Sequence, residues 1–412
     1  MSVSTQVAIG PGTILIGSDQ SQTFFVAPGT TNLNTNTHTE TFVTNFLQAA
    51  RTLSAQGVNF LLGDLHTAFQ TTLLDGSFWF TGALLARGSQ NGDGAGALFS
   101  PLPMAFAADA MGASAFDFDG ALAFATKAPR VPMTVALGDG WRAWIRGTLG
   151  RATFDGTATN FGYRNRTASG EGGIERLVGD WLYGAAFGFG TAKVEQDRTG
   201  DSGRIDTLRA GAYAAYRPGP WSFTGTVTAG WSDIDSKRLT LFPTPATASY
   251  DATTIAAGFE AVRRYDVGAY RVEPLAGLVY TALRVDGFTE TGSTFLDIRG
   301  DRATIDALQG YAGGRVSTTF AYGGADWTPE LRGRVVYDFL DDPRGFTARF
   351  VADPANTPLP VTGIQPDRFA VMLGGAMTAR LAAWLRAFAS YDAELRGGDV
   401  SHLVSGGLRW NW

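Results

Sequence analysis

Between Trp221 and Ser232 the chain alternates without exception. Trp221, Phe223, Gly225, Val227, Ala229 and Trp231 share one parity; Ser222, Thr224, Thr226, Thr228, Gly230 and Ser232 share the other. Successive side chains of a β-strand point to opposite faces, so this segment reads as a strand with one greasy and one wet face. The last segment behaves alike: Val404, Leu408, Trp410 and Trp412 oppose Ser401, Ser405, Arg409 and Asn411. From Trp141 onward the chain divides into about twelve segments of this kind, each bounded by a turn signal.

A soluble sandwich also alternates, so the charges and rings must choose between sandwich and barrel. Arg142, Arg146, Glu260, Arg271, Glu273, Arg315 and Arg409 lie opposite the apolar parity of their own strands. So do Glu330, Arg332, Arg334 and Asp338 between Trp327 and Phe339, and Arg386, Asp392, Glu394 and Arg396 between Leu385 and Arg396. Val336 and Phe388 break the rule. A charge facing hydrocarbon at mid-depth costs about 2–4 kcal/mol, so these residues are expected to line a wet or mutually paired lumen. Paired networks that hold the barrel's shape or grip a plug are the expected role, rather than catalysis. Aromatic rings at both ends of Trp221–Ser232 fit two membrane interfaces about 25 Å apart. In Trp181–Lys193 the inner face is small (Gly184, Ala186, Gly188, Gly190), which leaves room inside. The expected fold is all-β: an antiparallel transmembrane barrel of about twelve strands, with a mixed α/β N-terminal segment and a luminal helix.

Connections alternate in length. Gly179-Asp180, Pro218-Gly219-Pro220, Tyr265 to Gly268 and Gly323-Gly324 are tight turns, expected at the periplasmic end. The stretches 154–167, 236–250, 286–302 and 341–365 are long and polar, and are expected outside. Both termini of an even-stranded barrel then lie on the periplasmic side.

Composition excludes several alternatives. A formal charge of −5 on 412 residues does not suit a nucleic-acid binder. No run of 18 apolar residues occurs, which excludes a helical membrane protein. With no cysteine there are no disulfides, no thiol chemistry and no cysteine-held metal. The first ten residues lack the basic and apolar regions of a secretory leader, so an exported barrel is expected to have its leader elsewhere.

Upstream of the barrel the sequence suggests three segments. Residues 1–37 are Thr-, Gly- and Asn-rich, with short strands expected at 13–16 and 23–26 and turns at Pro11-Gly12 and Pro28-Gly29. Residues 38–104 carry two amphipathic stripes, Phe42 to Leu53 and Leu61 to Leu73, which could pack as a helical hairpin. Ser77 to Arg87 fits either a strand or a buried segment. Residues 105–140 are an Ala/Phe/Gly-rich stretch ended by Pro129 and Pro132.

At this point the chain resembles a known family. Trp-Arg-Ala-Trp-Ile-Arg-Gly at 141–147, Gly-Ala-Tyr-Ala-Ala-Tyr-Arg-Pro-Gly-Pro-Trp at 211–221 and Trp-Thr-Pro-Glu-Leu-Arg at 327–332 are similar to the C-terminal translocator of monomeric autotransporters, the type V secretion proteins. Ser-Tyr-Asp-Ala-Glu-Leu-Arg-Gly-Gly at 390–398 and the closing Ser-Gly-Gly-Leu-Arg-Trp-Asn-Trp join them. The resemblance covers residues 141–412. It implies a monomeric barrel in outer-membrane lipid that translocates or anchors an N-terminal passenger at the cell surface. It also implies a helix through the lumen, placed at Leu122 and Phe124, and help from periplasmic chaperones and the barrel-assembly machinery. That machinery would read the final aromatics Trp410 and Trp412, which stand where the family usually ends in Phe. Self-cleavage by a luminal asparagine is not expected, since no Asn lies between Asn91 and Asn160.

Enzymatic chemistry finds little support. His66 stands beside Asp64, but no Gly-x-Ser-x-Gly elbow accompanies it, and a surface or core role is expected. Gly17-Ser18-Asp19 lacks strand and helix context, and Asn91 with Asp93 offers too few oxygens for calcium. No cofactor and no catalytic residue are expected. Two other readings remain: a stand-alone small pore with a periplasmic N-terminal domain, and a surface adhesin or enzyme whose active part lies upstream.

Overall fold

The computed structural model describes residues 4–9, 12–17, 23–27, 31–34, 57, 60–89, 140–240, 244–293 and 296–411. Four short strands, β1 (Ser4–Ile9), β2 (Gly12–Gly17), β3 (Thr23–Ala27) and β4 (Thr31–Asn34), form an antiparallel meander of their own. Helix α1 (Leu65–Ser89) follows. Then come β5 (Trp141–Phe154), β6 (Tyr163–Val178), β7 (Trp181–Gln196), β8 (Ser202–Tyr216), β9 (Trp221–Arg238) and β10 (Ala246–Arg263). Next are β11 (Tyr265–Val267), β12 (Tyr270–Val285), β13 (Phe288–Thr289), β14 (Ile298–Gly300), β15 (Ala303–Thr318) and β16 (Phe320–Tyr322). The last are β17 (Ala325–Asp341), β18 (Gly345–Phe350), β19 (Leu359–Thr362), β20 (Phe369–Arg380), β21 (Leu385–Arg396) and β22 (Asp399–Asn411).

The long strands pair antiparallel in chain order, and β22 returns to β5 from Asp399↔Phe154 to Asn411↔Arg142. The hydrogen-bonded sheet has 14 strands; β11 and β16 are short arms beside the turns, and the remaining twelve form the closed wall. Closure leaves no unpaired edge, which is the condition for strands to stand in hydrocarbon.

Alternation decides which side chains meet lipid. Phe187, Val227 and Ile255 are each more than half exposed at mid-wall, whereas Leu182 and Ile234, on the opposite parity, are fully buried. Large exposed rings cluster at the tight-turn end, among them Trp181, Tyr216, Trp221, Tyr265, Tyr270 and Trp384. Trp231 is exposed ten residues along β9 from Trp221, a climb of about 25 Å for a tilted strand, or one hydrocarbon thickness.

The lumen is filled by α1. The sequence suggested a helical stripe only to Leu73 and left Ser77 to Arg87 open between strand and buried segment; both belong to this one helix. The resemblance placed the luminal helix at Leu122 and Phe124, which lie outside the described residues; among the described residues, Leu65–Ser89 occupies the lumen. The first stripe, Phe42 to Leu53, also lies outside them. Almost every side chain of α1 is buried, so no polar face is needed and no amphipathic period marks it.

The long connections between β12 and β15 and between β17 and β20 are not plain polar loops. β13, β14, β18 and β19 pair in that order as a four-stranded sheet. Phe288, Ile298, Phe350, Leu359 and Val361 from this sheet share one apolar cluster with Leu61, Leu65 and Phe69. The β21–β22 connection departs from the long-loop pattern: it is a two-residue turn, Gly397-Gly398, made possible by the left-handed backbone of Gly398 (φ 79°).

Candidate functional site

The site is the contact between α1 and the wall, and it has three levels. At the long-loop end, Asp64 just precedes the helix and accepts from Gln196 Nε2 (2.8 Å) and Asn160 Nδ2 (3.4 Å). An acid here complements the positive end of the helix dipole. His66 is stacked on Phe288 with ring centroids 4.0 Å apart; its Nδ1 lies 2.7 Å from the Tyr250 hydroxyl and its Nε2 3.2 Å from Glu290 Oε1. Arg238, at the end of β9, donates to Glu290 and also to the carbonyls of Leu61 (3.2 Å) and Leu296 (2.6 Å). Gln70 exchanges two hydrogen bonds with the backbone of Gly345 at the start of β18 (3.1 and 2.9 Å). Phe60 packs edge-on to Phe161 of the β5–β6 loop. Helix start, wall and loop sheet are thus one polar knot inside an apolar shell.

Burial by itself would raise the carboxyl of Glu290, which lies outside the wall strands. The Arg238 guanidinium more than reverses this and holds it down at about 2. Asp201, in the β7–β8 loop, behaves oppositely: burial pushes it up to about 7 although the Leu239 N–H donates to it (2.7 Å).

At mid-lumen the contacts are close and mostly apolar. A Cβ on Gly203, Gly211 or Gly258 would stand within 3 Å of Phe69, Leu84 or Leu85 respectively. Glycines on the wall therefore let the helix lie against β8–β10. Thr81 and Thr228 share a hydrogen bond (2.9 Å), and Asn165 donates to Thr72 (3.3 Å). Val336, the apolar residue on the inner parity of β17, is buried in a cluster with Phe78 and Leu85. Gly76 leaves space for Arg209, whose Nη2 would be 2.5 Å from a Cβ there. Beside this contact a cavity of about 90 Å³ remains between α1 and the wall, lined in part by Arg146, Glu171 and Arg209.

At the tight-turn end, Arg87 donates to both oxygens of Glu175 (3.1 and 3.3 Å) and lies over the Trp144 ring at 4.7 Å. Tyr213 donates to the same carboxylate (2.8 Å). Arg217 (2.7 Å) and Ser222 (3.1 Å) donate to the Gly88 carbonyl, one of the acceptors a helix C-terminus leaves without a partner, and Arg315 reaches Ser89 Oγ (3.1 Å).

The charged residues singled out in the sequence fall as follows. Arg146, Glu260, Glu273, Arg315, Glu330, Arg332, Arg334, Asp338, Arg386, Asp392 and Arg409 are buried. Arg332 forks onto Asp392 (2.8 and 2.6 Å) and reaches Glu330; Arg396 pairs with Asp338 (2.6 Å) and Glu394; Arg315 pairs with Glu273 and Arg146 with Glu171. Tyr311 donates to Glu260 (2.9 Å), and Arg334 lies over the rings of Tyr311 and Phe78. Arg142 stands 4.0 Å from Glu175. Arg271 differs: it reaches Asp266 in the β11 arm at the mouth, away from the helix. Trp410 pairs with Ala143 and Leu385 near the turn-end rings, while Trp412 lies outside the described residues. The groups that hold the helix most directly, His66, Arg87, Glu175, Arg238 and Glu290, were not in the sequence's lumen set. Glu171 and Glu175 share a parity on β6, so period two could have found them. Nothing in the sequence marks Glu290.

A closed, lipid-facing barrel of twelve strands with a helix along its lumen is the architecture of an outer-membrane translocator. The sequence profile described as Autotransporter beta-domain matches residues 143–392, and the chain belongs to that family. Two solved structures share the fold. One is the translocator domain of the autotransporter NalP from Neisseria meningitidis (TM-score 0.55, 18% identity, 72% of this chain and 95% of that one). The other is the β-domain of the Bordetella autotransporter BrkA (TM-score 0.51, 19% identity, 66% and 100%). A curated relative, "Outer membrane protein A" of Rickettsia rickettsii, is 26% identical over 255 residues. The match covers 58% of this chain and 11% of that protein, so the chain spans about a tenth of the relative's length. The protein is a monomeric autotransporter barrel of the bacterial outer membrane.

Proposed function

We propose that the barrel carries the chain upstream of Phe60 to the cell surface and then holds it there through α1. The observation that supports this is the direction of the helix. Its first residues are tied to loop-side groups (Glu290, Phe288, Gly345), and its last to turn-side groups (Arg217, Ser222, Arg315). A chain entering α1 at Leu65 therefore comes from the loop side, which is the outer side of an outer-membrane barrel. The ions of the lumen serve this anchoring: they pair with one another or with the helix, and the barrel itself performs no catalysis in this reading. Insertion is assisted by periplasmic chaperones and the barrel-assembly machinery, which recognises the aromatic end at Trp410 and Trp412.

An epitope inserted near Ser18 tests the reading. Labelling on intact cells is the expected result; labelling only after permeabilisation would reject surface display and favour a periplasmic N-terminal domain.

A further inference from the structure

The wall carries a second organised set of charges, on its outer face. Cross-strand register places His402 of β22 opposite Arg151 of β5, Arg151 opposite Arg166 of β6, Arg166 opposite Lys193 of β7, and Lys193 opposite Arg204 of β8. These five side chains, four of them cationic at neutral pH, form one lateral row on the lipid-facing parity, with Lys193, Arg204 and His402 exposed. Neighbouring strands lie about 4.8 Å apart, so the row spans about 19 Å.

Its height follows from the strands. Arg151 is ten residues beyond Trp141, and Lys193 twelve beyond Trp181, both rings belonging to the turn-end girdle. That climb is about 25–30 Å, which puts Arg151 and Lys193 at the headgroup level of the outer leaflet, with His402, eight residues from Trp410, lower on the wall. Like charges directly opposite one another on antiparallel strands repel, so such a row is unfavourable unless something anionic covers it. The protein covers it in part. Glu195 meets Lys193 (2.6 Å) and Arg166 (3.9 Å), and Asp206 meets Arg204 (2.8 Å). Arg151, between His402 and Arg166, has no acid partner among the described residues. The pattern is local: the next residue in the row is Asp235 of β9, and beyond it the outer face at this height carries Asp233, Asp251 and Asp286.

We propose that the β22–β8 sector binds the headgroup of an outer-leaflet lipid bearing two phosphates, with Arg151 and Arg166 as the principal donors. Guanidinium groups fork onto phosphate oxygens, and the row's length allows two phosphates of one headgroup to be held at once. Cations at a membrane surface also gain from an anionic leaflet.

The test uses the full chain in nanodiscs of phosphatidylcholine mixed with bisphosphorylated lipid A, released into detergent and weighed by native mass spectrometry. The expected result is a retained lipid A adduct that is at least tenfold less abundant with the dephosphorylated lipid. The adduct should also fall at least tenfold in the double variant Arg151→Gln/Arg166→Gln and stay unchanged in Arg284→Gln, which lies outward on the acidic flank. Inorganic pyrophosphate should not displace it. Equal retention of the phosphate-free lipid by the unaltered protein would overturn the proposal without depending on any variant folding. Equal loss in Arg284→Gln, or displacement by pyrophosphate, would overturn it as well.

Discussion

Arg238 on the barrel wall and Glu290 in the loop above it form a forked ion pair, Nε to Oε1 at 3.0 Å and Nη2 to Oε2 at 2.5 Å, and neither side chain has any solvent exposure. The same guanidinium holds the Leu61 carbonyl just upstream of α1, so one residue ties wall, loop sheet and plug together. Removing one partner of a buried pair leaves an uncompensated charge, at a cost of about 3–5 kcal/mol. Glu290→Ala is therefore expected to loosen the start of α1 by about that much while the barrel stays closed. Hydrogen exchange at residues 65–75 should rise far more than exchange in β5–β8. Equal protection in the variant would show that the pair does not hold the plug.

The pH dependence of this cap follows from two carboxyls of opposite sign. Glu290 titrates at about 2 in the fold against its ordinary 4.5, so its contribution is complete above about 4.5 and is lost as pH falls through 2. Asp201 titrates at about 7 against its ordinary 3.8, so its contribution is complete below 3.8 and is lost as pH rises through 7. Protection of the loop sheet, corrected for intrinsic exchange, should peak near pH 4 and weaken toward 7. Asp201→Asn should remove the alkaline loss and leave the acid loss; an unchanged alkaline limb would assign it to another group.

The wall glycines set how close α1 can lie. A Cβ at Gly211 would be 2.6 Å from Leu84 Cδ1. Gly211→Val should destabilise the docked helix by about 1–3 kcal/mol, as overpacking does. Adding Leu84→Ala should return part of that loss, giving a strongly non-additive double-mutant cycle measured by urea release of the plug. Simple additivity would mean that the two positions do not touch.

If the aromatic end is what the assembly machinery reads, deleting Trp412 together with Trp410→Ala should lower the yield of heat-modifiable barrel in the outer membrane several-fold, with inclusion in the periplasm or degradation instead. An unaffected yield would remove the final aromatics from the recognition step.

What the sequence disclosed depended on what each element touches. β9 was legible because lipid and lumen impose strict alternation, and the inward ions of β17 and β21 because hydrocarbon rejects charge. Val336 broke the pattern since the plug beside it is apolar, a fact invisible until α1 is in place. The helix was the hardest to read. Gly76 and the run Phe78-Trp79-Phe80 resemble a stop followed by a strand in water. Inside the barrel, Gly76 is instead the gap that admits Arg209, and a helix covered on every side needs no polar face. Strands as short as β13 and β14 carry too little alternation to stand out from a polar loop. Glu290 could not be foreseen, because its meaning comes from Arg238, 52 residues away, and His66, 224 residues away.

α1 fills the lumen, and single-channel conductance in planar bilayers measures that directly. The full chain should show small, rarely opening currents, and a chain lacking Leu65–Ser89 should conduct several-fold more. Large currents from the full chain, left unchanged by that deletion, would contradict the plug.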